Sequence, residues 1–216
     1  MISLLLFDMD GVLIESVDAK TNAFRRAFSR YPALLDEIMQ YHINNPGISR
    51  YEKIPYIFRY ILNIPLTKQD EKELLSDLSE FVNEEMMEVE LVSGCHEFFN
   101  QFTPSIPCAV VSAAPEEDVS SILLSKGISK YFSIISGSPL SKKENAGDII
   151  RHYQVDPMNV LFIGDAVADY EAAQHVGCRF IGRVRNGSPN PFFNKPGVEY
   201  IIRDLFDLIR HIERSI

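Results

Sequence analysis

The sequence contains no tryptophan and few cysteines, three in 216 residues. They are Cys95, Cys108 and Cys178, and none of them belongs to a CxxC pair. An odd number of isolated cysteines favours free thiols in a reducing compartment over a disulfide framework or a zinc site. We therefore expect a cytoplasmic protein.

An excess of basic residues is also missing. The chain has 21 Lys and Arg residues against 30 Asp and Glu residues, a formal net charge of −9. Nucleic-acid-binding proteins usually present a basic face, so we expect no nucleic acid as a partner. A small anionic substrate is still compatible with this charge, because a metal ion and a few local donors can hold it.

Long apolar runs are absent as well. No segment approaches the length that spans a bilayer, so we expect no contact with a membrane. The amino terminus lacks the basic region of a secretory signal, and its short apolar run ends in carboxylates. At 46% apolar residues the chain can nevertheless build a sizeable core, in one domain or in one domain with an inserted module.

The most informative stretch lies near the amino terminus. The apolar residues 4–7 lead directly into Asp8, and Asp10 and Gly11 follow. An uninterrupted apolar run is typical of a strand that is covered on both faces in a parallel sheet. Ligands bind at the carboxyl ends of such strands, and residues two apart can face the same space. Gly11 allows the chain to turn away there through dihedral angles that other residues avoid.

A long helical segment follows the first strand. Apolar residues recur at helical spacing across residues 16–90, and strand-like runs are missing. Ser49 with Glu52 has the form of a capping box, and Pro55 predicts a kink or a later helix start. We read residues 16–90 as an all-helical insertion, which we expect to act as a cap.

Residues 1–15 and 91–216 then form the core. Beyond residue 91 the pattern alternates between short apolar strands and amphipathic helices, which predicts a parallel sheet with helices on both faces. The expected fold class is α/β, a Rossmann-like doubly wound parallel sheet with the helical cap inserted. The later strands are predicted at residues 108–111, 132–135, 160–163, 179–184 and 199–202.

Polar side chains follow several of these strands. Ser112 ends the second predicted strand, Lys142 lies in the loop after the third, and Asp165 ends the fourth. The carboxyl ends of parallel strands lie along one edge, so we expect these residues to meet Asp8 and Asp10 there. Carboxylate oxygens favour Mg²⁺, which shares its coordination with phosphate groups.

These residues match a known family in chain order. The chain resembles the haloacid dehalogenase-like hydrolases, and among them the helical-cap group of phosphoglycolate phosphatase and β-phosphoglucomutase. Residues 16–90 are similar to the helical cap of that group, so the resemblance covers nearly the whole chain. The four motifs are Asp8-Met9-Asp10-Gly11-Val12, Ser112 after AVV, Lys142 in SPLSKKENA, and Gly164-Asp165-Ala166-Val167-Ala168-Asp169.

The resemblance implies a set of catalytic roles. Asp8 would be the nucleophile that forms an aspartyl-phosphate. Asp10 would protonate the leaving oxygen and later activate water. The Asp8 carboxylate, the Asp10 main-chain carbonyl and Asp165 would hold Mg²⁺, which offsets the repulsion between two anions.

It also implies how the phosphoryl group is held. Ser112 and Lys142 would bind the phosphate, and Asp169 would orient Lys142 or a metal-bound water. The proline common after the family's lysine is missing, which leaves Lys142 and Lys143 as alternatives. Glu144 favours Lys142 as the active one.

The second acid indicates the type of reaction. Family members that displace halide lack an aspartate at the position of Asp10, because halide needs no proton. The resemblance therefore implies a Mg²⁺-dependent phosphomonoester hydrolase that acts on a small phosphorylated metabolite. The sequence gives no indication of the oligomeric state.

Two alternatives remain open. The Gly-x-Ser-Arg stretch that ends at Arg50 is similar to the caps of phosphosugar mutases of the β-phosphoglucomutase type, which makes Arg50 a candidate substrate contact. The other alternative is a phospho-acceptor signalling domain similar to a receiver, which also clusters carboxylates and a lysine. The helical insertion and Asp10 argue against it.

The remaining basic side chains suggest no function of their own. The five histidines are scattered with no pair at metal-ligand spacing, so surface or core positions explain them. Arg183 and Arg185 flank the end of a predicted strand, and we expect both to be solvated loop residues.

Overall fold

The computed structural model describes residues 2–214, and a parallel six-stranded sheet forms its centre. The strand order is β3-β2-β1-β4-β5-β6, which confirms the doubly wound α/β fold. All neighbouring strands are parallel. The strands are β1 Leu4–Phe7, β2 Cys108–Pro115, β3 Ile134–Ser138, β4 Val160–Gly164, β5 Arg179–Arg183 and β6 Val198–Ile202.

Helices connect most of these strands, and those outside residues 16–90 cover both faces of the sheet. They are α1 Val17–Ala27, α2 Leu35–Asn44, α3 Arg50–Tyr56, α4 Lys68–Met86, α5 Cys95–Phe102, α6 Glu116–Ser125, α7 Lys142–Tyr153, α8 Val167–Val176 and α9 Leu205–Glu213. Within residues 2–214, no helix combines the length and the apolar character needed to cross a membrane.

Strand β1 lies between β2 and β4, and its alternating side chains join the two halves of the core. Leu5 and Phe7 pack into one hydrophobic cluster, and Leu4 and Leu6 pack into the cluster on the opposite face. All four are fully buried. Each such side chain contributes about 1.5–3 kcal/mol when it leaves water, which explains the continuous apolar run.

The helices α1 to α4 form the insertion between β1 and α5. They enclose a third hydrophobic cluster, with Phe28, Phe58 and Leu74 among its fully buried members. The two connections to the sheet run side by side, because Ile14 forms an antiparallel bridge with Leu91. The helical content of residues 16–90 matches the prediction, whereas their division from the core as a separate domain stays a prediction.

Two strands differ from their predicted bounds by more than one residue. Strand β2 continues past Val111 to Pro115, and β3 begins at Ile134, two residues later than predicted. Pro115 lies opposite Ser138 after a shift in register between β2 and β3. Small residues and proline have little strand preference of their own, so only pairing with the neighbouring strand extends β2.

Helix α7 begins at Lys142, which the sequence pattern predicted to lie in a loop. The hydroxyl of Ser141 accepts a hydrogen bond from the Glu144 amide, and the Glu144 carboxylate accepts one from the Ser141 amide at 2.9 Å. This capping box was present in the sequence and fixes the helix start. As a result Lys142 occupies the first helical turn and not a loop.

Helix α3 tolerates its proline. It begins at Arg50, where the Ser49 hydroxyl accepts a hydrogen bond from the Tyr51 amide at 3.4 Å, so the predicted later start is wrong. Pro55 lies within the helix, and the hydrogen bonding then widens to a π-helical segment at Ile57–Leu62. Proline has no backbone N–H to donate, and the wider hydrogen bonds of a π-helical segment accommodate that missing donor.

Candidate active site

Three carboxylates meet at the carboxyl edge of the sheet. Asp8 follows β1, Asp165 follows the adjacent strand β4, and Asp169 lies in the first turn of α8. Each offers an oxygen within 4.8 Å of the others. The doubly wound topology therefore brings together acids that are far apart in the sequence, as the prediction required.

Gly11 permits the close approach of two loops in this cluster. Its φ angle of +69° lies in the left-handed region, which confirms the predicted turn. A Cβ atom at this position would lie 2.0 Å from Oδ2 of Asp165. Only glycine therefore lets the loop after β1 pass so near the Asp165 carboxylate.

Lys142 connects two of the acids. Its Nζ lies 2.7 Å from Oδ2 of Asp8 and 2.5 Å from Oδ1 of Asp169, and all three side chains are buried. Burial alone would lower the pKa of Lys142, but the two carboxylates outweigh it and raise that pKa above its usual value. Lys143 is exposed, and its Nζ lies 3.8 Å from Glu171, so Lys142 is the lysine that faces the cluster.

The cluster carries more negative charge than Lys142 neutralises. Burial, and then the nearby Asp169, raise the pKa of Asp8 to about 7. Burial and the neighbouring Asp8 also raise the pKa of Asp165. Among the described residues no group donates a hydrogen bond or forms an ion pair with the Asp165 carboxylate. A divalent cation would relieve this repulsion, and an all-oxygen donor set fits Mg²⁺.

Asp169 is fully occupied by other contacts. Its Oδ1 pairs with Lys142, and its Oδ2 accepts a hydrogen bond from the Ala166 amide at 3.0 Å. Both oxygens therefore hold the lysine and the start of α8. This arrangement suits the predicted orienting role better than direct binding of a cation.

Asp10 points toward α1. Its Oδ1 accepts a hydrogen bond from Ser16 at 2.6 Å, and its Oδ2 forms an ion pair with Lys20. Burial would raise the pKa of Asp10, but Lys20, Ser16 and Lys142 together lower it. Sequence reasoning missed Lys20, because nothing in the local pattern distinguishes it from a surface lysine on a helix.

Ser112 lies within β2, not beyond its end. Its side chain is fully buried, and its hydroxyl accepts a hydrogen bond from the Ala114 amide at 3.1 Å. Ala113 and Ala114 line the adjacent cavity, and Ser112 does not. Its predicted contact with phosphate therefore stays a prediction.

A cavity of about 190 Å³ lies between the carboxylate cluster and the helical insertion. We call it the site cavity. The sheet side contributes Asp8, Asp10, Lys142 and Asp165. The insertion contributes polar residues from three of its helices, namely Lys20, His42, Arg50 and Lys53.

Arg50 lines this cavity but is committed to other groups. Its Nη2 lies 3.0 Å from Oδ2 of Asp118 on α6, and its Nη1 donates to the Ser79 hydroxyl at 3.0 Å. The contact with Asp118 joins the insertion to the core, whereas Ser79 belongs to the insertion itself. A contact between Arg50 and substrate stays a prediction.

Arg183 contradicts its expected solvated position. Its side chain is buried, donates from Nη1 to the Gly11 carbonyl at 2.7 Å, and pairs with Glu15. Arg185 is exposed as expected and lies 2.7 Å from Asp18. A strand end alone does not show which of two nearby arginines turns inward, so no local pattern predicts this contact.

Comparison with known proteins agrees with this geometry. Residues 5–183 match the family of haloacid dehalogenase-like hydrolases. The chain belongs to that family.

Several individual proteins are similar to this chain over part or nearly all of its length. Phosphoglycolate phosphatase from Vibrio parahaemolyticus is 24% identical, and the match covers 96% of each chain. The enzyme of the same name from Pectobacterium atrosepticum is 34% identical over 82 residues, which are 36% of this chain and 35% of that protein. A solved β-phosphoglucomutase-like protein from Thermotoga maritima has a TM-score of 0.71 at 19% identity, over 98% of this chain and all of that one. The family match and the phosphoglycolate phosphatase relatives show that the chain is an enzyme, a phosphatase of this family.

Proposed function

We propose that this enzyme is a Mg²⁺-dependent phosphomonoesterase that works through an aspartyl-phosphate on Asp8. The observation that carries the proposal is the buried cluster of Asp8, Lys142 and Asp165 at the carboxyl edge of the sheet. An ionised carboxylate beside a fixed ammonium can attack a phosphoryl group, because the ammonium offsets charge on both reactants.

The first half of the reaction transfers the phosphoryl group. An Asp8 oxygen attacks phosphorus, the bond from phosphorus to the ester oxygen breaks, and that oxygen takes a proton from Asp10. The Met9 amide donates a 2.7 Å hydrogen bond to Oδ1 of Asp8 and fixes the carboxylate. Asp169 holds Lys142 against Asp8 throughout.

The second half releases phosphate. Asp10 accepts a proton from water, the water oxygen attacks phosphorus, and the bond to Asp8 breaks. Lys20 and Ser16 hold the pKa of Asp10 low against the effect of burial, so its carboxylate is ionised and can accept this proton. A bound phosphate ester places negative charge beside Asp10 and raises its pKa. Asp10 is then protonated, and it donates that proton in the first half of the reaction.

The carboxylates of Asp8 and Asp165, with the main-chain carbonyl of Asp10, would hold Mg²⁺. When bound, the ion offsets the repulsion between the anionic nucleophile and the anionic ester. The unpartnered Asp165 carboxylate is the residue that most needs such a cation.

The insertion, residues 16–90, is proposed as a cap over the site. Its two connections pair near Ile14 and Leu91, where a small rotation would move the whole segment. A cavity of about 190 Å³ is smaller than the roughly 300–1,000 Å³ of drug-sized sites, so the substrate is a small metabolite. The relatives that are phosphoglycolate phosphatases support a short phosphorylated acid. A cytoplasmic location stays a prediction.

The test is hydrolysis of a panel of phosphometabolites that includes phosphoglycolate. We expect phosphate release with Mg²⁺, its loss in EDTA and its return when Mg²⁺ is restored. Asp8→Asn should abolish turnover, whereas Asp148→Asn, at an exposed aspartate on α7, should leave it intact. Phosphate release by a folded Asp8→Asn protein would refute the mechanism.

Analysis of the reaction products distinguishes the proposed phosphatase from the alternative, a phosphosugar mutase. A phosphosugar mutase would convert β-glucose 1-phosphate to its isomer without releasing phosphate. In this structure Arg50, which motivates that alternative, is held by Asp118. A stable phosphoprotein with no turnover would instead support a receiver-like signalling domain.

A further inference from the structure

Lys53 on α3 is an unusual cation in the wall of the site cavity. The cavity contains four cationic side chains, and three of them have carboxylate partners: Lys20 pairs with Asp10, Arg50 with Asp118, and Lys142 with Asp8 and Asp169. Lys53 is only 5% exposed, yet no carboxylate within residues 2–214 lies within 4.0 Å of its ammonium. A buried cation without a counter-ion is costly, and this one faces a substrate cavity.

The contacts of Lys53 leave part of its donor capacity unused. Nζ lies 3.3 Å from the His42 carbonyl and 3.4 Å from Nδ1 of the same residue, and both distances are long for hydrogen bonds. An ammonium has three protons, and these contacts use two; the Phe24 ring also lies near Nζ, but at 6.0 Å from Nζ to the ring centroid it accepts no hydrogen bond. One donor therefore remains for a group that enters the cavity.

His42 supplies a second hydrogen-bond donor next to Lys53. Because Lys53 donates to Nδ1, the neutral imidazole carries its proton on Nε2. The ring stacks on Phe24 with 4.1 Å between centroids, which fixes its orientation. No described residue accepts a hydrogen bond from Nε2. Two adjacent donors thus lie on the cap side of the cavity, opposite the carboxylate cluster.

The electrostatics agree with this geometry. Burial, and then Lys20, lower the pKa of Lys53 to about 8. Burial and the two lysines lower the pKa of His42 to about 3, so the imidazole stays neutral beside the ammonium. A negatively charged ligand at Lys53 would restore the pKa of its ammonium, because an opposite charge favours the charged form.

We propose that Lys53 and His42 form a specificity subsite for a second anionic group on the substrate. The inference rests on the proposed phosphatase function and narrows its substrate to phosphate monoesters that carry a carboxylate or a second phosphate. The ester phosphate occupies the sheet side of the cavity, and the second anion accepts hydrogen bonds from Nζ of Lys53 and Nε2 of His42.

The first experiment compares three esters with the Mg²⁺-loaded wild-type enzyme. They are phosphoglycolate, propane-1,3-diol bisphosphate, and ethyl phosphate, which lacks a second anionic group. We expect kcat/KM for an ester with a second anionic group to exceed that for ethyl phosphate by about 10- to 100-fold, the effect of a charge-assisted hydrogen bond. The charged ester with the higher value identifies the second anion as carboxylate or phosphate.

The second experiment uses Lys53→Met, with Lys143→Met at an exposed lysine as the matched control. Lys53→Met should lower the ratio of charged-ester to ethyl-phosphate kcat/KM by about tenfold or more, and Lys143→Met should not change it. Calorimetric binding of phosphoglycolate to Asp8→Asn, with and without Lys53→Met, gives a readout without turnover. If Lys53→Met fails to fold, His42→Gln reports the same ratio.

The outcomes separate this inference from the proposed function. Hydrolysis of all three esters without preference, or an unchanged ratio in Lys53→Met, overturns the subsite and leaves the phosphatase intact. Failure of the wild-type enzyme to hydrolyse any phosphate ester with Mg²⁺ overturns the proposed function itself.

Discussion

Nη1 of Arg183 donates a 2.7 Å hydrogen bond to the main-chain carbonyl of Gly11. This contact ties the end of β5 to the loop that carries Asp8 and Asp10, and the same guanidinium also holds Glu15 and the Arg203 carbonyl. The catalytic loop is therefore supported by a strand that is two positions away in the sheet.

Arg183→Met should lower the free energy of unfolding by about 1–3 kcal/mol, because it leaves the buried Gly11 carbonyl without a donor. Arg185→Met is the matched control, since its exposed ion pair with Asp18 should contribute less than about 0.5 kcal/mol. Urea denaturation of both variants tests the difference. Equal losses of unfolding free energy in the two variants would show that the hydrogen bond to Gly11 does not stabilise the protein more than a surface ion pair does.

Gly47 belongs to the insertion and lies against the start of α8 beside the active site. Its φ angle is +74°, and a Cβ atom there would lie 3.0 Å from Cβ of Ala166 and 3.1 Å from that of Ala168. Gly187 has a similar φ of +82° with nothing within 4 Å, so Gly187→Ala is the matched control. Each alanine should cost about 1–2 kcal/mol of stability for its left-handed backbone.

Only Gly47→Ala should also lower kcat/KM, because it pushes the insertion away from the start of α8. Steady-state kinetics with thermal denaturation separates the two effects. If both variants lose stability but retain wild-type kcat/KM, the contact between Gly47 and α8 has no part in closing the site.

Asp169→Asn should reduce kcat by about 10- to 100-fold, because it removes the charge that holds Lys142 against Asp8. Glu171→Gln tests the neighbouring pair on the same two helices, where Lys143 and Glu171 are exposed and 3.8 Å apart. That change should leave kcat unaltered. A normal kcat in Asp169→Asn would mean that Lys142 needs no such support.

His42 makes stability depend on pH. Its pKa is about 3 in the folded protein against 6.5 for an ordinary histidine, so the unfolded chain takes up the proton first as pH falls. The stabilising contribution is complete above pH 6.5 and is lost as pH falls from 6.5 toward 3. The difference in unfolding free energy between wild type and His42→Asn should therefore shrink over that range.

Urea denaturation at several pH values measures this difference. His152→Asn, at an exposed histidine on α7, is the matched control for replacing a histidine at the surface. A pH-independent difference for His42→Asn would contradict the buried neutral state of that imidazole.

The sequence alone determined the features that depend on local pattern. The apolar run before Asp8 predicted a central strand, Gly11 predicted the tight turn, and helical spacing predicted the helical content of residues 16–90. Strand and helix alternation then placed Asp8 and Asp165 at one edge. These inferences succeed because periodicity, turn residues and parallel topology follow from neighbouring residues.

Only the tertiary structure decided which side chains surround those acids. The inward turn of Arg183, the pairing of Asp10 with Lys20, the commitment of Arg50 to Asp118 and the burial of Lys53 all join distant segments. The extension of β2 to Pro115 likewise depends on its register with β3. Such contacts are set by packing between elements, and the local sequence of either partner contains no sign of the other.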